Sequence, residues 1–122
     1  MADRTSAPLE HAAEVLIILV SDCLVSLGLP VEELHDEIVR VIRAVLEVFG
    51  ERVTMLNPGL LAASLCATVV KRRYGHLADS AVRLVAEAVG VSEKGLRRRV
   101  RKIEMVTRAL EESRSELRRT SS

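Results

Sequence analysis

Apolar residues in this chain recur at three- to four-residue intervals, in five stretches divided by glycine, proline or polar breaks. That is the period of helices packed on a shared core, and no alternating strand pattern interrupts it, so the predicted class is all-α with five helices. The first stretch begins near Pro8, a residue suited to a first helical turn, and runs to Leu27, where Gly28 and Pro30 stop it. Its middle, VLIILV, is apolar on every side. Such a helix is either surrounded by other helices or covered by a second subunit, and the first is the expectation here. The second helix should span Val31–Phe49, with Leu34, Ile38, Val41, Ile42 and Val45 turned inward and Glu33, Asp36, Glu37, Arg40, Arg43 and Glu47 turned to water. Asp36 and Arg40 have i,i+4 spacing, worth roughly 0.3 kcal/mol if they pair.

Gly50 ends that helix, and Glu51–Leu56 reads as a connector pinned to the core by Val53 and Met55. Asn57 and Pro58 then supply an N-cap and a first-turn proline for a third helix over Gly59–Tyr74, with Gly75 as its cap. Ala62, Ala63, Ser64 and Ala67 make this helix thin enough for close neighbours, which predicts a central position. Lys71, Arg72 and Arg73 crowd its last turn, where they either complement the helix dipole or hold a phosphate.

The remaining two helices carry the chemistry. Ala81, Val82, Leu84, Val85, Ala86 and Val89 recur at helical spacing over Asp79–Val89, and Gly90 has the backbone freedom to close that helix. Val91 can tuck back between the two helices, Ser92 is an N-cap, and Glu93 suits the positive helix end. Leu96, Val100, Ile103, Val106 and Leu110 form the inward seam of the fifth helix. Lys94, Arg98 and Arg101 point the opposite way, with Arg97 on one flank and Arg99 and Lys102 on the other. One helix that braces and a second that offers cations is the layout of a helix-turn-helix. A basic helix face is also an ordinary solvated face, so the pattern alone leaves both readings open.

Charge sharpens the asymmetry. The net charge is +1, yet residues 1–70 carry −6, residues 71–102 carry +7, and residues 103–122 are neutral. A segment of that sign steers toward a polyanion, or else faces the acidic segment within the fold or a dimer. Phe49 and Tyr74 are the only aromatic residues, which disfavours modules that stack nucleic-acid bases on rings. Cys23 and Cys66 are far apart in apolar runs and His11, His35 and His76 are scattered, so no zinc-ligand spacing exists and no cofactor is expected. Two buried free thiols in a reducing cytosol are expected instead. The charged N-terminus carries no cleavage pattern, the longest apolar run is too short to span a bilayer, and a cytoplasmic, non-membrane protein is expected. No phosphate-binding glycine loop, carboxylate pair or nucleophile motif is present, and Ser64 lacks the glycines of a nucleophile elbow, so an enzyme is not expected.

With the last three helices placed, NPGLLAASLCATVV followed by LVAEAVGVSEKGLRRRVRKI resembles one cyclin-type repeat of transcription factor IIB and of its archaeal counterpart, transcription factor B. The pattern A-x-x-x-G-V-[ST]-x-x-x-[LIV]-R-x-R is carried by Ala86, Gly90, Val91, Ser92, Leu96, Arg97 and Arg99. The specific match covers Asn57–Ile103, and the helix count extends it over most of the chain. The resemblance implies a five-helix cyclin-like bundle over residues 8–110 that takes in the helix-turn-helix at 79–103; by composition, residues 1–7 read as a flexible end and 111–122 as a polar tail that extends or frays the last helix. It also implies a role in transcription, with the fifth helix facing DNA. These residues depart from the family in holding one repeat and no zinc ribbon, and on that basis they are not expected to replace the full factor. The usual aromatic after the second arginine is Val100, and Gly95 sits inside the fifth helix, at a cost of up to about 1 kcal/mol relative to Ala.

The sequence therefore points to a DNA-binding transcription regulator. Arg98 and Arg101 would reach base edges, and Lys94, Arg97 and Lys102 would hold phosphates. One such helix is a small interface, which suggests a homodimer on two half-sites. The rival is a cyclin-like protein-interaction module without direct DNA contact, which binds another protein, such as one of the transcription machinery, through the apolar first helix, an acidic partner then taking the basic face.

Overall fold

The computed structural model describes residues 6–120. Among them are five α-helices and no strand: α1 Ser6–Ser26, α2 Val31–Phe49, α3 Pro58–Arg73, α4 Ala81–Val89 and α5 Glu93–Thr120. A short 3-10 segment, Gly50–Met55, links α2 to α3, and another, Gly75–Leu77, precedes α4. Residues 1–5 and 121–122, within the expected loose end and tail, lie outside the described residues.

The core is built around α3. Every residue from Leu61 to Val70 is buried, and the helix touches α1, α2, α4 and α5. Its small side chains explain this: Ala62, Ala63 and Ala67 leave room for four neighbours at close range. Two buried hydroxyls interrupt the apolar run without harm, because Ser64 donates to the Leu60 carbonyl and Thr68 to the Ser64 carbonyl, each at 2.8 Å. Asn57 caps α3 as its sequence requires: its side chain accepts from the Leu60 amide at 3.1 Å, with Pro58 in the first turn. The C-terminal cap is Tyr74 rather than Gly75. The Tyr74 amide closes on the Val70 carbonyl at 2.8 Å, after which its own backbone leaves the helical region.

The inward stripe of α2 is as expected, with Ala44 added. Gly50 ends α2 at a φ of 57°, a conformation that favours glycine. In the 3-10 segment Val53 is buried, but Met55 is 84% exposed, so only one of the two expected anchors holds. The tight turn places neighbouring side chains on different sides, and one core position is all the segment can fill. Likewise α4 buries Ala81, Val82, Val85 and Ala86 while Leu84 and Val89 face out; nine residues suffice for a single narrow stripe. Helix α1 is apolar all round in sequence, yet one of its faces is open: Ile18 and Val25 are 59% and 63% exposed, in line with His11, Glu14 and Asp22. Asp36 and Arg40 do not pair with each other; Glu37 instead pairs with Arg72 of α3 at 3.1 Å.

Helix α5 runs on through residues 111–120. At about 1.5 Å per residue its 28 residues reach roughly 42 Å. The buried seam is Leu96, Val100, Ile103 and Thr107, with Val106 and Leu110 half-buried beside it. Thr107 takes the place that hydrophobicity alone assigns to Val106. One helical turn after Ile103 is position 107, and its hydroxyl is satisfied by the Ile103 carbonyl at 2.8 Å. The far half of α5 is tied down by charge: Glu111 accepts from Arg72 at 2.6 Å, and Arg114 pairs with Glu47 of α2 at 2.8 Å.

Candidate nucleic-acid interface

The candidate interface starts from the α4–α5 turn. Gly90, at φ 79° and ψ 35°, adopts the left-handed conformation that ends α4, and the amides of Gly90 and Val91 both reach the Ala86 carbonyl, at 2.8 and 3.1 Å. This closure turns Val91 back onto the core, where it is half-buried. Ser92 starts α5 by accepting from the Gly95 amide at 3.3 Å. Three residues thus join two packed helices, and the fully buried Leu96 sets the rotation of α5 about its axis.

That rotation sorts the cations. Residues 93–102 hold six Lys or Arg against Glu93 alone. Lys94, Arg98 and Arg101 are exposed on the side opposite Leu96 and Val100, and none forms an ion pair among the described residues. The same row continues to Arg108, with Met105 between them 70% exposed. Those two positions were legible in the spacing beyond Ile103, where the helix-turn-helix pattern stops.

The flanks differ from the row. Arg97 is bound to Glu93, one turn before it. It also lines a cleft with Lys71, Asp79, Arg101 and Glu104, so acids and bases mix there. Lys102 lies on the other side, its ammonium 5.8 Å from the centre of the Phe49 ring. Arg52 stands over the same ring at 5.7 Å and donates to the Phe49 carbonyl at 3.3 Å. With the half-buried Arg99, these cations border a cleft of about 200 Å³. Of the five cations expected to form the site, three share a face, and Arg97 and Lys102 diverge to opposite flanks.

Two members of the triplet ending α3 are engaged within the fold. Lys71 pairs with Glu104 at 2.9 Å, and Arg72 bridges Glu37 and Glu111. Burial works against the Arg72 charge, but Glu111 and Glu37 outweigh it and raise the pKa of the guanidinium above its ordinary value. Arg73 forms no ion pair among the described residues.

Cys23 and Cys66 are free and buried, on α1 and α3, within hydrogen-bonding reach of each other. The hydrogen bond with Cys23, then burial, holds the Cys66 thiol well above its ordinary range. Among the described residues no three His, Cys, Asp or Glu come together as a metal site, and no helix is long and apolar enough to cross a membrane. No protein-family model matches the chain, and neither a curated protein nor a solved structure matches it.

Proposed function

We propose that this chain binds double-stranded DNA as a transcription regulator, with α4 bracing and the first turns of α5 entering the major groove as a helix-turn-helix. The observation that carries the reading is the row Lys94, Arg98 and Arg101, exposed on one side of one helix and without an acidic partner among the described residues. Cations left unneutralised on a helix that follows a three-residue turn suit a phosphate-lined groove. The resemblance of Asn57–Ile103 to a cyclin-type repeat of transcription factor IIB supports the same role and a cyclin-like arrangement of the five helices. In this reading Arg98 and Arg101 contact base edges, guanine foremost, and Lys94 holds a phosphate. Arg97 exchanges Glu93 for a phosphate, and Lys102 leaves the Phe49 face to do the same. Two copies on half-sites one DNA turn apart, about 34 Å, would give the small interface useful affinity.

Mobility shifts on random and promoter-like duplexes at two salt concentrations test this. Arg98→Ala with Arg101→Ala should weaken binding and relax sequence preference, at about 1–3 kcal/mol for each lost base contact. Unchanged affinity with the fold intact removes α5 as the reader. A second reading, a cyclin-like module for an acidic protein, is favoured by Ile18 and Val25 on the open face of α1 and by Met105 within the cationic row. Competition between duplex DNA and a candidate protein separates the two, since salt weakens both.

A further inference from the structure

The cleft between the end of α2, the Gly50–Met55 segment and α5 combines two features. Its floor is aliphatic: Val45, Leu61 and Ile103 are buried at its base, and Leu56 is half-buried beside them. Its border is cationic: Arg52, Arg99 and Lys102 come from two separate elements, and no carboxylate lines it. The contrast with other charged clefts is direct. The one with Lys71, Arg97 and Arg101 also holds Asp79 and Glu104, and the one with Arg40, Arg72 and Arg114 also holds Glu111. Here none of the three cations has an ion-pair partner among the described residues. Arg52 and Lys102 share the negative face of the Phe49 ring, and Arg52 also donates to the Phe49 carbonyl, but neither contact supplies a counter-charge. Cations gathered over apolar surface without a counter-charge suit a ligand with one anionic end and an apolar body.

We infer that this cleft binds a small hydrophobic carboxylate, its chain on Val45, Leu61 and Ile103 and its carboxylate among Arg52, Arg99 and Lys102. Size selects within that class. About 200 Å³ is below the usual range of roughly 300–1,000 Å³ for drug-sized ligands, so a nucleotide or a folded segment is too large. A polar sugar would also meet an aliphatic floor with no side-chain hydrogen-bonding group. A short- to medium-chain fatty carboxylate satisfies both ends. The inference does not rest on DNA binding, because Arg52 and Arg99 belong to none of the proposed DNA contacts and Lys102, though proposed there as a phosphate contact, lies off the Lys94–Arg98–Arg101 row.

The test is titration of the full chain with butanoate, hexanoate and octanoate, followed by calorimetry and by the methyl NMR signals of Val45, Leu56, Leu61 and Ile103. Saturable shifts at these methyls are expected, with affinity rising about fourfold per added methylene until the floor is covered. Octanol, with the same chain and no charge, should bind at least tenfold more weakly than octanoate. Arg99→Gln with Lys102→Gln should weaken octanoate at least tenfold, and Lys102→Gln alone, at an exposed position that leaves the fold intact, about threefold. Absence of saturable shifts at those methyls, octanol binding as tightly as octanoate, or wild-type octanoate affinity in the folded variants overturns the inference.

Discussion

Replacing Gly95 by Ala should stabilise the protein, and the structure supplies both sign and size. Gly95 lies in the first turn of α5 without a positive φ, so an L side chain brings no backbone strain. A Cβ built there would meet only Ser92 Cβ and Oγ, both at 3.9 Å, which is ordinary van der Waals contact. The Ser92 cap bond uses the residue 95 amide, which Ala retains. What changes is chain entropy. Ala exceeds Gly by about 0.8–1 kcal/mol in a helix interior and by about 0.4–1 kcal/mol where the folded geometry is compatible. A first-turn site belongs near the lower end, about 0.5 kcal/mol. Unfolding 122 residues releases about 0.26 kcal/mol per kelvin, so Tm should rise by about 2 °C. Thermal and urea unfolding followed by circular dichroism measure it, the urea slope m staying constant. A fall in Tm, or no change beyond error, would refute the geometry drawn for the α5 N-terminus. Unaltered DNA affinity in the stabilised variant would show in addition that no phosphate approaches this backbone closely.

Leu96→Asp places a charge in the fully buried seam with Val100 and Ile103 and should cost about 3 kcal/mol or more, a Tm loss of roughly 12 °C; a wild-type melt would mean that α5 packs elsewhere. Arg72→Met removes the link between α2, α3 and α5 and strands Glu37, whose side chain is 18% exposed, so unfolding should become easier by about 1 kcal/mol; an unchanged urea midpoint would make the bridge energetically idle. The Cys66 thiol should resist a thiol reagent in the native state and react at the rate of opening, because it is fully buried and held protonated; rapid native labelling of Cys66 would contradict the packing of α1 on α3. Lys94→Ala should weaken DNA binding evenly across sequences and flatten the salt dependence by about one unit, with melting unchanged; a selective loss on one sequence would make Lys94 a base reader instead.

The sequence by itself determined the features that depend on local geometry. Helix breaks follow from Gly28, Gly50 and Gly90, each of which has positive φ in the structure. The start of α3 follows from the Asn57 side chain, and the bounds and inward stripe of α2 follow from a single clean period. The rotation of α5, and with it the shared face of Lys94, Arg98 and Arg101, follows from Leu96, Val100 and Ile103, since one helix has one phase. The tertiary structure decided what depends on neighbours distant in sequence. Hydrophobicity does not say that Met55, Leu84 and Ile18 face water, because a short segment or an outer helix offers the core only one side. Spacing does not say that Lys71 and Arg72 spend their charge on Glu104, Glu37 and Glu111, which helix packing alone brings near. Arg52 and Lys102 meet over Phe49 for the same reason: fifty positions separate them in the chain, and the crossing of α2 with α5 brings them to one ring.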